Sequence, residues 1–287
     1  MKIVKIMGGL GNQMFQYAFA YSLFNEINEE IKLDTSFFNS VLDDTRVTMH
    51  NCELEKFNIN PVYATDEEIQ KCLKRKKSNL LKLLNKRVVV KENDKRLNNL
   101  NSFKSVENAY FEGYFQSEKY FAKFRDDILE KFTLKEPLDF QNQQMLDKIN
   151  MANAVSLHIR RGDYMNLQNI YKICDVEYYS KAIKYIAENV ENPHFFLFSD
   201  DVEWVVKNLK LEYSYTVVDF NKGAGYLDME LMKNCKHNIT ANSTFSWWGA
   251  WLNKNEQKIV ITPQKWFNDK KLQKNILSII PNDWIKL

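Results

Sequence analysis

Glycine and proline are scarce, 8 and 5 in 287 residues, which argues against extended low-complexity linkers. The four cysteines, Cys52, Cys72, Cys174 and Cys235, lie far apart, with no Cys-x-x-Cys pair and no histidine at ligand spacing. That excludes a disulfide framework and a zinc site, and it is the usage of a reduced compartment. No stretch approaches the roughly 20 apolar residues of a membrane-spanning helix. The opening KIVKIM is too short for the apolar region of a signal peptide, so a cytosolic protein is expected. There is no internal repeat. No Gly-x-Ser-x-Gly occurs, which removes support for a Ser/His/Asp hydrolase. Gly8, Gly9 and Gly11 do not have the spacing of a dinucleotide fingerprint.

What is present suffices for a sizeable core: 45% of residues are hydrophobic and 14% aromatic. The length allows one large domain or two ordinary ones. The net charge of +3 is unevenly placed, with 12 Lys and Arg between residues 71 and 104 against only Glu92 and Asp94. Within it, KCLKRKKSNLLKLLNKR (71–87) reads as a basic amphipathic helix. A solvated surface helix is the plain reading, and peripheral contact with an anionic membrane is the functional one. Nucleic acid is disfavoured, because no aromatic lies between Tyr63 and Phe103.

Strand-like and helix-like segments alternate. The first half reads as strand 2–7, helix 12–27, strand 31–34, an irregular stretch 35–65, the basic helix, strands 88–90 and 109–114, and a helix 117–132 capped by Ser117. Pro137 and the polar Gln141 to Gln144 suggest a hinge, with domains at 1–137 and 138–287. The second half reads as strands 155–159, 195–198, 215–218, 237–240 and 258–262. Helices 176–188, 201–209, 226–233 and 244–252 fall between them. One helix between successive strands predicts parallel pairing and a doubly wound sheet.

In such a sheet, ligands collect beyond the carboxyl ends of strands. His158, Arg160, Arg161, Gly162 and Asp163 close one strand, Asp200 and Asp201 another, and Asn242, Ser243 and Thr244 a third. Adjacent guanidinium forks suit a dianionic phosphate; a surface salt-bridge cluster with Asp163 is the bland alternative. Ser243 and Thr244 begin a helix whose first-turn N–H groups can seat an anion, or merely cap it. Trp247, Trp248 and Trp251 follow at helical spacing, which favours core packing over a sugar platform. Asp228 offers a carboxylate in the preceding helix, with a plain surface role as the alternative. In the first half, the Gly8–Gly11 turn admits close backbone approach, and Asn12 and Gln13 place amides at the next helix start.

The segments MKIVKIMGGLGNQMFQYAFAYSLF, HIRRGDY, FLFSDD and NSTFSWWGAWLN together resemble the bacterial α-1,2-fucosyltransferases of glycosyltransferase family 11. The resemblance runs from residue 1 to about 265. It implies an α/β, GT-B-like fold, two Rossmann-like doubly wound domains facing a cleft. The acceptor would lie on 1–137 and GDP-fucose on 138–287. The activity implied is inverting transfer of L-fucose from GDP-β-L-fucose to the 2-hydroxyl of a terminal galactose in a glycan acceptor. Animal members carry a membrane anchor ahead of the catalytic region, whereas this chain opens at its first strand. By resemblance, His158 and Asp228 are candidates for guanine, and Asn12 and Gln13 for the fucosyl unit or acceptor. Arg160 and Arg161 would hold the leaving phosphate, with Asp200, Ser243 and Thr244 at the same edge. No Asp-x-Asp stands near a strand end, so a reaction without metal or other cofactor is expected. Asp163, Glu112 and the amides are all open as the acceptor's base, with Asp163 preferred as the group that orients the arginines. Two rivals stand beside this reading: a GDP-sugar transferase forming another linkage, and a carbohydrate-binding protein without catalysis.

Overall fold

A computed structural model describes residues 1–39, 51–73, 87–209, 211–274 and 276–287. It divides into two compact units, Met1–Thr133 and Leu134–Leu287. The dividing point thus falls four residues before the one Pro137 suggests.

In the first unit, β1 (Lys2–Lys5) leads through a glycine turn into α1 (Leu10–Ile27), followed by β2 (Ile31–Asp34), β3 (Val62–Tyr63), α2 (Asp66–Leu73), β4 (Arg87–Lys91), β5 (Asn108–Glu112) and α3 (Arg125–Lys131). The strands form a parallel sheet in the order β3-β2-β1-β5-β4. β1 sits at its centre, which explains why Ile3 and Val4 are both fully buried although they point to opposite faces. Gly8, at φ +77°, makes the turn, and a Cβ there would stand 2.9 Å from the Asn12 amide nitrogen. The described part of the stretch 35–65 contains two short 3₁₀ turns, Ser36–Asn39 and Leu54–Lys56, and the edge strand β3. Most of the basic segment, residues 74–86, lies outside the described residues.

The single helix expected over 117–132 does not form. Two 3₁₀ turns, Glu118–Tyr120 and Ala122–Phe124, precede α3. Phe121 breaks the run, leaving the helical region (φ −135°) to bury its ring completely against Phe15 of α1. Tertiary packing overrides local propensity here. Ser117 consequently caps nothing.

The second unit opens with α4 (Phe140–Met151), so the glutamines expected in a hinge are helical; Asp139 caps them by accepting from the Asn142 N–H. There follow β6 (Asn153–Ile159), α5 (Val176–Asn189), β7 (Pro193–Ser199), α6 (Val202–Asn208), β8 (Tyr215–Val218), α7 (Gly225–Asn234), β9 (His237–Ile239), α8 (Thr244–Trp251), β10 (Val260–Thr262) and β11 (Ile285–Lys286). Every pairing is parallel, in the order β8-β7-β6-β9-β10-β11. This is the full dinucleotide-fold order, two βαβαβ halves running outward from β6 and β9. The crevice beyond the carboxyl ends of those two strands is its topological switch point.

The tryptophans of α8 are core. Trp247 and Trp248 are fully buried, and Trp247 donates its indole N–H to the Ile279 carbonyl at 2.8 Å. Its ring lies within 6.0 Å of Trp248, Trp251 and Trp284. Trp247→Ala should therefore cost ~3–5 kcal/mol of stability in urea titration, by cavity formation and a lost hydrogen bond. Near-parental stability with impaired glycan binding would instead make this ring a sugar platform.

Candidate functional site

The site in the second unit starts from the end of β6. Ile159 is its last residue, and the chain then turns sharply through Arg160, Arg161 and Gly162. The neighbouring strand β7 ends at Ser199 and delivers Asp200 and Asp201 to the same edge. Arg160 Nη1 lies 2.9 Å from Asp200 Oδ2, and Arg161 Nε lies 3.4 Å from Asp201 Oδ2. The backbone N–H of Arg161 also donates to Asp200 Oδ1 at 2.9 Å. A Cβ on Gly162 would fall 2.7 Å from Asp200 Oδ2, so close approach of this carboxylate requires glycine.

Each arginine also faces an aromatic ring. The Arg161 guanidinium carbon stands 3.8 Å from the Trp204 ring centroid, and that of Arg160 stands 5.6 Å from Tyr164. Tyr164 donates its hydroxyl to the Asn242 carbonyl beyond β9 at 3.1 Å, bridging the switch point. Among the described residues, the arginines' acidic partners are Asp200 and Asp201. Of Asp163 only the backbone is described, at the head of a 3₁₀ turn.

His158, one residue inside β6, is buried beside Phe245, with ring centroids 5.5 Å apart. Burial, reinforced by the Arg160 charge, pushes its imidazole from 6.5 down to about 3, so it is neutral. Its Nδ1 is buried without a hydrogen-bond partner among the described residues. Phe245 also packs under α7, where a Cβ on Gly225 would meet its ring at 3.3 Å. Three residues on, in the first turn of α7, stands Asp228. Burial lifts this carboxyl from 3.8 to about 6, opposed by one bond from Asn221 Nδ2 at 2.9 Å. Asn221 is itself fixed by a reciprocal amide pair with Asn142 of α4, at 2.8 and 2.9 Å.

At the start of α8, Ser243 is buried and its hydroxyl accepts from the Phe245 N–H at 3.3 Å, a cap within the fold. Thr244, the first helical residue, is half-buried. Asn242 is wholly structural: its amide donates to the Lys172 and Trp266 carbonyls and accepts from Cys174.

The first unit has its own strand-end edge. Gln13 is completely buried there, its amide donating to the Gly8 and Asn51 carbonyls and accepting from the Glu53 N–H, all within 2.9 Å. Its side chain is spent on the fold. Gln16, one turn on, likewise joins Met7 to Gly113. Asn12 is half-buried and accepts from Gln116 at 2.8 Å through its oxygen. Trp204, Tyr164, Asn221 and Phe245 were not among the residues singled out by sequence, since only tertiary structure brings them to the arginines, His158 and Asp228.

The whole chain, residues 1–287, matches the model of glycosyl transferase family 11. The chain belongs to this family. It is 35% identical over 99% of its length to an alpha-1,2-colitosyltransferase of Escherichia coli, covering 98% of that protein. A gorilla galactoside alpha-(1,2)-fucosyltransferase 2 matches half of the chain and 44% of its own length at 27% identity. Among solved structures, the NodZ alpha-1,6-fucosyltransferase soaked with GDP-fucose, an enzyme from Bradyrhizobium, superposes with a TM-score of 0.50. It covers 88% of this chain and 92% of that one at 14% identity. The chain is therefore an α/β glycosyltransferase of the GT-B type. Among the described residues, no helix is long and apolar enough to cross a membrane, and no three His, Cys, Asp or Glu side chains gather as a metal site.

The shifted groups give opposite pH signatures. Between about 3 and 6.5, folded His158 stays neutral while the unfolded residue takes a proton, so its contribution to stability is lost as pH falls. Between 3.8 and about 6, folded Asp228 keeps a proton that the unfolded chain has released, so its contribution falls as pH rises. Relative to the parent, Asp228→Asn should gain stability from pH 4 to 6 and level off above, in urea titrations at fixed pH. A difference that does not change with pH would contradict this.

Proposed function

We propose that this enzyme transfers L-fucose from GDP-β-L-fucose, with inversion, to the 2-hydroxyl of a terminal galactose. The observation that carries the reading is the arginine pair at the β6/β9 switch point. Two guanidiniums standing on carboxylate anchors beyond a dinucleotide-type sheet would suit a phosphate. Each guanidinium has five N–H donors, so anchoring by a carboxylate and holding a phosphate are compatible. As the glycosidic bond lengthens, charge grows on the β-phosphate, and these donors would stabilise it without a metal ion.

The second unit would hold the nucleotide. Asp228 is ionised at neutral pH and can accept both N1–H and N2–H of guanine, a pair adenine does not offer. His158, neutral and with an unpartnered Nδ1, would stand beside it, and the Thr244 end of α8 would face the anion. The first unit, with Asn12 at its strand-end edge, would take the acceptor.

A second donor has specific support. The relative matching across 99% of the chain is named for colitose, the 3-deoxy counterpart of fucose. A site that hydrogen-bonds the sugar 3-hydroxyl discriminates strongly against the analogue lacking it, whereas a site that merely tolerates it discriminates weakly. The test compares GDP-fucose with the GDP ester of colitose on lactose and N-acetyllactosamine, with excess EDTA throughout. GDP-fucose should be the better donor by ~10-fold or more in kcat/KM, and turnover should survive the chelator. Preference for the colitose donor would reassign the sugar; activity restored only by manganese or magnesium would overturn the metal-independent mechanism.

A further inference from the structure

An inverting displacement leaves a proton on the attacking hydroxyl, and the described residues at or near the first unit's strand-end edge include the carboxylates of Asp34, Glu92, Glu112 and Glu53. Three are already engaged by hydrogen bonds or ion pairs. Asp34, ending β2, accepts from the Ser36 N–H and the Tyr110 hydroxyl. Glu92, just beyond β4, accepts from the backbone N–H groups of Tyr114 and Phe115. Glu112, ending β5, is clamped between Lys91 and Lys5, which hold its carboxyl below the usual range. A carboxylate whose oxygens are occupied in this way is poorly placed to take a proton from a substrate.

Glu53 differs from all three. Its backbone N–H is pinned at 2.9 Å to Gln13 Oε1, while the same amide holds the Asn51 and Gly8 carbonyls. The segment 51–53 is thereby fastened to the turn after β1, and Leu54, fully buried, secures its other end. The Glu53 side chain is half-buried, and no hydrogen bond or ion pair among the described residues engages its carboxylate. Burial raises this carboxyl above its ordinary value, and Lys56 only partly offsets that. Among the described residues, the charged and titratable neighbours are Lys56 and the Cys52 thiol, while α1 brings no charge in its first turn.

We propose that Glu53 is the general base of the transfer, a role that rests on the fucosyltransferase reading above. The Glu53 carboxylate takes the proton of the galactose 2-hydroxyl as that oxygen bonds to the anomeric carbon of fucose. The bond from that carbon to the phosphate oxygen breaks, and its electron pair leaves on GDP. The products are the α-fucoside, GDP and protonated Glu53, which returns its proton to water. Gln13, buried and structural, acts here as a positioning residue.

The experiment uses the full chain with GDP-fucose and lactose, comparing the parent with Glu53→Gln and Glu53→Asp. Kinetics are followed across pH, and GDP affinity is measured by calorimetry. Glu53→Gln should lose ~10²–10⁴-fold in kcat, lose the acid limb of the pH profile, and bind GDP within a few-fold of the parent. Glu53→Asp should keep the limb and part of the rate. A Glu53→Gln enzyme within a few-fold of parental kcat, or one whose rate and GDP affinity fall together, overturns the assignment. If the Gln form does not fold, a Glu53→Asp profile without the acid limb does so. A parent that moves neither fucose nor colitose to any galactoside overturns the transfer reading itself, and this base with it.

Discussion

Two adjacent arginines at one strand end repel each other unless something holds them, and the carboxylates of the neighbouring strand do so. Asp200 binds both the Arg160 guanidinium and the backbone of Arg161, and Asp201 takes the Arg161 side chain. Part-exposed ion pairs of this kind contribute little to stability, ~0–1 kcal/mol each. Their effect is orientation. Together with the Trp204 and Tyr164 faces they fix two flexible side chains before any ligand arrives, which lowers the ordering cost of binding. The parallel pairing of β6 with β7 matters because it puts Ile159 beside Ser199, so the residues following each emerge together.

Burial sets the electrostatics around that pair. His158 cannot be protonated without cost, so it adds no third charge next to Arg160. Asp228 is lifted toward neutrality yet stays ionised at physiological pH, where a partner offering two N–H groups would stabilise its charged form. In the first unit, hydrogen bonds or ion pairs engage Asp34, Glu92 and Glu112, whereas burial raises the Glu53 carboxyl, which nothing among the described residues engages.

Much of this was legible in sequence because it is local. The apolar runs of β6, β7 and β8 announce themselves, as do the tryptophan stripe of α8 and the clustering of polar residues at strand ends. The misses share one physical origin, contacts between residues distant in the chain. Asp200 and Asp201 lie forty residues from the arginines they hold, and no local pattern pairs them. Gln13 reads equally well as a ligand-facing amide or a buried strut; only the positions of Asn51 and Glu53 decide it. Phe121 ends a plausible helix because its ring fits under α1. β11, two residues long, is too short for any periodicity to show. Nothing in sequence distinguishes Glu53 from its neighbour Glu55, which bonds Tyr63.

The central claim is that the arginine pair stabilises the departing phosphate. Steady-state kinetics of Arg160→Ala, Arg160→Lys, Arg161→Ala and Arg161→Lys test it most directly, with circular dichroism verifying the fold. Loss of a preorganised donor to developing charge costs ~10²–10³-fold in rate, and a single ammonium does not reproduce the planar fork. At least one position should lose two or more decades in kcat/KM as both Ala and Lys. If all four folded variants stay within a few-fold of the parent, the arginines are a surface salt-bridge cluster and the account fails at its base.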